Sequence, residues 1–270
     1  MRWRPYRAII DARFRMLLQY RAAAIAGVFT QIFFGFVFIM VYEAFYASSS
    51  APKPMAFSDL VSYVWLGQAL LAMLPWNADS DVRVMVRTGA VAYELCRPVD
   101  LYTLWFARAV AQRTAPTILR AVPMALFVTL GLPLLGLDEW SLGAPAQPLA
   151  FVIAVTAALA LACALTTLIN ITLLWTIAGD GVVMMAATIV AFCSGMLVPL
   201  PLFPQWLQDI LAWLPFAGVV DLPFRIYTGG IPTSDLALVL AKQLAWTALL
   251  VLAGRLLLAR AMKRVVVQGG

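Results

Sequence analysis

The sequence predicts an all-α integral membrane protein with six transmembrane helices, an N-terminal interfacial helix, a short cytoplasmic helix and a re-entrant helical hairpin before the last span. Of its 270 residues, 63% are hydrophobic and 12% are charged, about half the charged fraction of a soluble domain. The mean hydropathy is strongly positive. Six spans of about 20 residues occupy roughly 120 positions. We therefore expect one transmembrane domain, 1–270, and no separate globular domain.

The N-terminal residues 1–21 are expected to form an amphipathic helix. Apolar residues such as Tyr6 and Phe14 alternate at helical spacing with arginines such as Arg7 and Arg13. A helix of this kind can lie in the inner membrane interface with its arginines toward anionic lipid. The alternative is an ordinary basic flank of the first span.

Apolar runs separated by polar or turn-forming residues predict the spans. The first is followed by Pro52-Lys53-Pro54, and only Gly179-Asp180-Gly181 separates the fourth from the fifth. The fourth run is long enough to tilt or to extend beyond the hydrocarbon core. The predicted spans are 22–46, 60–76, 115–137, 149–177, 182–198 and 236–258.

The basic residues predict the orientation of the chain. If the N-terminus is cytoplasmic, sixteen of the nineteen Lys and Arg residues fall on the cytoplasmic side, the exceptions being Lys53, Arg225 and Lys242. The positive-inside rule then places both termini in the cytoplasm. The net charge of +6 is thus explained mostly by the basic residues that orient the chain in the membrane. This explanation argues against nucleic acid as a partner.

The region 77–114 is the only sizeable polar stretch on the predicted cytoplasmic side. Within it, 82–95 can form a short amphipathic helix that is broken at Gly89, and Pro98 disfavours its continuation. Asp100 is placed to cap the helix that follows. A loop that only joins two spans needs far fewer residues than this region has. We therefore expect a surface helix to which a peripheral partner can bind.

The segment 199–232 combines six prolines with several aromatic residues. Non-helical backbone at membrane depth must be buried in protein or line water. We therefore predict two short helices, 204–214 and 216–227, that dip back into the outer leaflet, with tryptophans at the interface. The alternative is an outer loop lying flat on the membrane. The candidate residues of this segment are Pro199, Pro204, Trp206, Trp213 and Pro215.

Several classes of activity are disfavoured. The chain has no histidine, the commonest general base and metal ligand. Its three cysteines form no CxxC pair, which argues against a disulfide framework or a zinc site. The close acidic pair Asp79 and Asp81 favours a helix start over a metal site. A membrane enzyme such as a lipid transferase would need convergent acids or a metal, so we expect no catalytic residue and no metal.

Six polar residues in or near the apolar runs are candidates for a substrate path, because a polar side chain away from water must be satisfied by a ligand or by another helix. Helix packing is the commoner use, and a lysine can also snorkel to the interface. Gly27 and Gly35 mark places where a neighbouring helix can approach closely. The six candidates are Gln31, Glu43, Gln68, Thr166, Asn170 and Lys242.

The order of these parts resembles the membrane subunit of the second class of ATP-binding-cassette export permeases, closest to a subfamily of small six-span permeases often encoded as unequal pairs. The stretch 87–102 is similar to the family's coupling region, with a basic residue, a glycine, an acidic residue before leucine and Arg97-Pro98. The stretches 194–199 and 203–207 are similar to its outer re-entrant hairpin.

The resemblance implies a permease that moves an amphipathic or hydrophobic solute, such as a drug, lipid, peptide or glycan-like molecule, out across a bacterial inner membrane. The chain has no GxxxxGK[ST] phosphate loop, so ATP and Mg are expected on a separate ATPase subunit, in two copies. A second permease, identical or different, and membrane lipids are the other expected partners. The implied coupling residues are Arg83, Arg87, Gly89, Glu94, Arg97, Pro98 and Asp100.

The alternative function is a secondary transporter with inverted three-span repeats. The sequence shows no internal repeat, and it carries few buried acids for coupling to protons or sodium.

Overall fold

The computed structural model describes residues 3–48, 52–176 and 179–263, and the regular elements in these ranges are all helical. The prediction of an all-α protein is therefore confirmed. The α-helices are α1 (Arg4–Leu18), α2 (Arg21–Ser48), α3 (Phe57–Leu70), α4 (Ser80–Thr88), α5 (Val91–Leu95), α6 (Leu101–Leu126), α7 (Leu132–Leu134), α8 (Pro148–Thr176), α9 (Asp180–Cys193), α10 (Gln205–Trp213), α11 (Asp221–Tyr227) and α12 (Leu236–Met262).

Four helical stretches in the described ranges are long and apolar enough to cross a membrane, which supports an integral membrane protein. Two shorter apolar helices, Phe57–Met73 and Asp180–Cys193, accompany them. The four long stretches are Arg21–Ser48, Leu101–Leu134, Pro148–Thr176 and Thr233–Met262.

Helix α8 lies at the centre of the bundle. Half of its most apolar window is buried inside the chain, against 6% for the corresponding window of α12. Its inward positions carry many small side chains, including Ala154, Ala158 and Ala162, all fully buried. Small residues let neighbouring helices approach closely, so α6, α11 and α12 pack directly against α8.

The predicted close approaches at Gly27 and Gly35 of α2 are confirmed. A Cβ atom at Gly35 would overlap the ring of Trp65 in α3, and a Cβ atom at Gly27 would overlap the guanidinium of Arg120 in α6. Trp65 is 1% exposed, and its indole N–H donates to the carbonyl of Trp140 at 2.7 Å. A larger residue at position 35 would displace the buried Trp65 ring, whereas one at position 27 would displace only the end of the flexible Arg120 side chain.

Helix α6 begins well before the third apolar run. The carboxylate of Asp100 accepts a hydrogen bond from the backbone N–H of Thr103 at 2.9 Å, so Asp100 is the predicted N-cap. The helix continues through a π-helical turn, Phe127–Gly131, into α7. A single long element thus carries the chain from the polar region into the apolar one.

The two ends of the bundle differ in charge. We call the end formed by α1, α4, α5 and the last turns of α12 the basic end. We call the end formed by α10, α11 and the first turns of α12 the opposite end. Helix α1 packs along α6 at the basic end, where the Tyr6 hydroxyl accepts a hydrogen bond from the backbone N–H of Asp100 at 2.9 Å.

Candidate functional site

Helices α4 and α5 are two short helices at the basic end, separated at Gly89. Gly89 has φ +73°, a left-handed conformation that favours glycine. The Asp79 carboxylate caps α4 by accepting hydrogen bonds from the backbone N–H groups of Asp81 and Val82. The interpretation of this acidic pair as a helix start is therefore confirmed.

The side chain of Glu94 in α5 points into the interior of the helical bundle. Its side chain is 3% exposed, and its carboxylate accepts a hydrogen bond from the indole N–H of Trp105 at 2.8 Å. It also pairs with the Arg108 guanidinium at 3.2 Å. Val91 and Glu94, three residues apart, form the buried face of α5. This carboxylate therefore anchors α5 on α6, and the coupling role of Glu94 stays a prediction.

The outward face of α5 is largely apolar. Tyr93 is 76% exposed and Leu95 is 45% exposed, and Arg97 and Pro98, which follow the helix, are also exposed. We call these four residues the α5 surface. Arg97 and Pro98 were candidates from the sequence, whereas Tyr93 and Leu95 were missed. No local pattern places Tyr93 outward, because α5 has only five residues.

Helix α4 is tied to α9 by two arginines. Arg83 and Arg87, one turn apart, both pair with the carboxylate of Asp180, the first residue of α9. The Arg87 guanidinium lies 3.3 Å from Asp180 Oδ2. Asp180 was not a candidate from the sequence. The pairs are partly exposed, so each contributes about 1 kcal/mol or less, but they fix where α4 lies relative to α9.

Asp100 joins three helices. Besides capping α6, its carboxylate lies 3.3 Å from the Arg255 guanidinium of α12. Arg255 is also 5.0 Å from the centre of the Tyr102 ring. Because the backbone N–H of Asp100 donates to Tyr6 of α1, this position connects α1, α6 and α12.

A buried polar network lies beneath α4. Arg13 of α1 pairs with Asp79 at 2.5 Å and also contacts Asp81. Asp79 is 2% exposed, and its backbone N–H donates to Oδ1 of Asn170 in α8 at 2.9 Å. Sequence reasoning missed Arg13, since it lies 66 residues from its partner.

Arg113 of α6 forms a second part of this network. It is 3% exposed, and its Nε donates to the Thr166 hydroxyl at 3.1 Å, while Nη2 donates to the Asn77 carbonyl at 2.7 Å. Thr166 and Asn170, two candidates for a substrate path, therefore contact the chain's own polar groups at the basic end.

The other four candidates for a substrate path lie apart from that network. Gln31 is 3% exposed, and neither polar atom of its amide has a hydrogen-bond partner among the described residues. Gln68 is 6% exposed and lines a cavity of about 20 Å³ between α2, α3 and the chain after α9, room for about one water. Glu43 is exposed, and Lys242 lies at the opposite end. The structure thus does not bring the six candidates together.

The segment after α9 forms short helices at the opposite end. Pro204 precedes α10, and Pro215 precedes a 3₁₀ turn, Phe216–Gly218. Pro199 precedes another 3₁₀ turn. Trp206 and Trp213 of α10 are 64% and 77% exposed, so both indoles are free to meet an interface.

Asp221 at the start of α11 is the most buried acid of this segment, at 1% exposed. The Tyr63 hydroxyl donates to its carboxylate at 3.2 Å, and its backbone N–H donates to the Ser194 carbonyl at 3.1 Å. Burial raises the pKa of Asp221 to about 6, and the Arg225 guanidinium at 3.7 Å opposes the shift. Sequence reasoning missed this contact, which fastens α11 to α3.

Comparison with known proteins assigns the chain to a family. A model described as "ABC-2 family transporter protein" matches residues 32–269, which is most of the chain. No curated protein matches significantly. The matched range includes α4 and α5 and the helices of the opposite end. Together with the long apolar helices, this match shows that the chain belongs to the ABC-2 transporter family, whose members are non-catalytic membrane permeases of ABC transporters.

Proposed function

We propose that this chain is one permease subunit of an ATP-driven exporter of an amphipathic or hydrophobic solute. In this proposal the machine contains two copies of a separate ATPase subunit, which bind ATP and Mg. It also contains a second permease chain, either identical or a different six-span protein. Exposed aromatic residues along α2, such as Phe29 and Phe33, are available to lipid or to that second chain.

The α5 surface is the observation that carries the coupling role. It presents Tyr93, Leu95 and Arg97 outward, while Glu94 holds the helix from behind. An aromatic and an arginine side chain are the residue types that most often carry the energy of a protein interface. We infer that the ATPase binds here, and that Glu94 and Asp100 act as positioning residues rather than as contacts.

The contacts behind α4 and α5 provide a route for movement. A displacement of α5 would be transmitted to α6 through the Glu94–Arg108 ion pair. A displacement of α4 would be transmitted to α9 through the ion pair between Arg83 and Asp180. The Asp100–Arg255 pair adds α12. Rigid helices joined by a few pairs can move as bodies between two packings.

The proposed topology has six spans and cytoplasmic termini, in a bacterial inner membrane. The four long helices supply four spans, and the shorter α3 and α9 supply the other two, each lengthened by the residues that follow it. The basic end then faces the cytoplasm. In this arrangement α10 and α11 form the re-entrant segment of the outer leaflet.

For the solute route, Gln31 is the strongest of the six candidates. Among the described residues, neither polar atom of the Gln31 amide has a hydrogen-bond partner. The Thr166 hydroxyl already accepts from Arg113, and Asn170 uses its Oδ1 but leaves its Nδ2 without a partner there. A buried polar side chain that has no hydrogen-bond partner within its own chain remains available to bind a solute.

The test is co-purification of the tagged chain from its native membranes after mild crosslinking. We expect an ATPase that carries a phosphate loop to accompany the chain, and ATP hydrolysis by the purified complex. If no such ATPase is present and uptake into vesicles continues without ATP, the chain is a secondary transporter and the proposal fails.

A further inference from the structure

A cavity of about 310 Å³ lies at the opposite end, between α10, α11 and α12. Its volume is in the range of small-molecule sites. Its lining includes acids and bases together, namely Asp209, Asp221, Arg225 and Lys242, and it also includes Gln243. A cavity lined by both signs of charge suits a ligand that itself carries both signs.

The deep part of the cavity offers hydrogen-bond acceptors. Gln243 is 1% exposed, and its Nε2 donates to the carbonyls of Ala154 at 3.0 Å and Gly218 at 2.6 Å. Its Oε1 is buried with no hydrogen-bond partner among the described residues. Asp221, 1% exposed, lines the same cavity, and its carboxylate lies 3.7 Å from the Arg225 guanidinium. A cavity lined by an acid and by a glutamine whose carbonyl oxygen lacks a partner among the described residues suits a donor, such as an ammonium group.

The exposed part of the cavity offers cations. The side chain of Arg225 is 37% exposed and donates to the Gly230 carbonyl at 3.3 Å. The ammonium of Lys242 contacts the Ala212 carbonyl and lies 5.3 Å from the centre of the Trp213 ring. Both cations keep donors for a phosphate, which they would hold by charge-assisted hydrogen bonds.

We propose that this cavity binds a phosphate–ammonium zwitterion of the phosphoethanolamine type. The ammonium lies near Gln243 and Asp221, and the phosphate lies near Arg225 and Lys242. A simple anion would face two acids, and a simple cation would face two bases. The zwitterion has two sources: the headgroup of an outer-leaflet phospholipid or a free soluble molecule. The site does not depend on the proposed export function.

The test measures binding by calorimetry to the purified full-length chain in detergent. The probes are dihexanoyl phosphatidylethanolamine, dihexanoyl phosphatidylglycerol and free O-phosphoethanolamine. We expect saturable binding of the ethanolamine lipid and at least about tenfold weaker binding of the glycerol lipid, which lacks the ammonium. This ratio is measured on the unchanged chain, so it does not require any variant to fold.

Variants locate the site. We expect Lys242→Gln to weaken binding of the ethanolamine lipid at least about tenfold and Lys242→Arg to retain it. Lys53→Gln is the matched control, because Lys53 also lies 5.3 Å from an aromatic ring, that of Tyr46, and does not line this cavity. Each variant is checked for a single peak in gel filtration.

The outcomes separate the sources. Binding of the acylated probe alone supports a membrane lipid as the ligand, and equal binding of O-phosphoethanolamine supports a soluble one. Absent binding of both, equal affinity for the two lipids, or an unchanged affinity in a well-folded Lys242→Gln protein would overturn the proposal.

Discussion

At the basic end, charged side chains pair with one another across helices, whereas at the opposite end they line a cavity. Glu94, Asp79 and Asp180 each contact at least one arginine of another element. Asp221 instead receives its shortest side-chain hydrogen bond from a tyrosine. The first arrangement fixes the position of a surface for a partner, and the second leaves polar groups for a ligand.

The largest effect is expected from Glu94→Ala at the basic end. The change leaves Arg108, whose side chain is 14% exposed, and the indole N–H of Trp105 without this acceptor. Removing one partner of a buried pair costs about 3–5 kcal/mol, so the midpoint of thermal unfolding in detergent should fall clearly.

Two further variants serve as controls for the Glu94→Ala measurement. Glu94→Gln keeps an acceptor for Trp105 and should lose less stability, and Glu43→Ala removes an exposed carboxylate and should change little. Unfolding of the Glu94→Ala protein at the unchanged temperature would contradict the anchoring role. Arg97→Ala, which changes only an exposed side chain of the α5 surface, should leave the chain folded while ATP hydrolysis no longer responds to solute.

The second effect concerns Asp221 at the opposite end. Its pKa is about 6 in the folded chain, against an ordinary value of 3.8. The folded state therefore binds the proton more tightly, and this group's contribution to stability falls as the pH rises from about 4 to about 6. Two pKa units correspond to about 3 kcal/mol at most. Asp221→Asn should remove this part of the pH dependence.

The measurement is the unfolding midpoint of both proteins between pH 4 and pH 7. Other acids titrate in the same range, so the difference between the two curves is the quantity that matters. That difference should be largest at pH 7 and should shrink toward pH 4. Parallel curves would show that Asp221 is not buried as described.

The third effect concerns binding rather than stability. Tyr93→Ala removes an exposed ring, so the unfolding midpoint should stay within the small range typical of surface changes. Co-purification of the ATPase should fall by at least about fivefold, because an aromatic contact of this kind often carries more than about 1 kcal/mol. Trp206→Ala, at the opposite end and similarly exposed, is the control and should leave co-purification unchanged. An equal loss for both variants would contradict the assignment.

The smallest effect is expected from Asp180→Asn, which removes one shared partner of Arg83 and Arg87. These pairs are partly exposed, so the loss should be about 1 kcal/mol or less. Exposed pairs are screened by salt, and the difference from the unchanged chain should nearly vanish in 1 M NaCl. A loss of stability as large as that of Glu94→Ala would contradict the description of these ion pairs as partly exposed.

Most of the helical layout could be predicted, because it depends on local signals. Apolar runs locate the long helices, Asp100 starts α6, and Gly89 separates α4 from α5. The two short helices after Pro204 follow from the spacing of prolines. These features need only neighbouring residues and the intrinsic preferences of the backbone.

The direction of individual charged side chains could not be predicted in the same way. Helix α5 has five residues, too few for a periodic pattern to decide whether Glu94 faces inward or outward. Its direction is set by Trp105 and Arg108 on another helix. Tyr63 and Asp221 are separated by 158 positions in the sequence. No local pattern predicts a contact between residues so far apart.

The central claim is that a separate ATPase binds the α5 surface. The most direct measurement places a photo-crosslinking phenylalanine analogue at Tyr93 and, in a parallel protein, at Trp206, followed by identification of the crosslinked chain by mass spectrometry. We expect position 93 to crosslink to a subunit with a phosphate loop and position 206 not to do so. Absence of that subunit at position 93, or equal crosslinking at both positions, would contradict it.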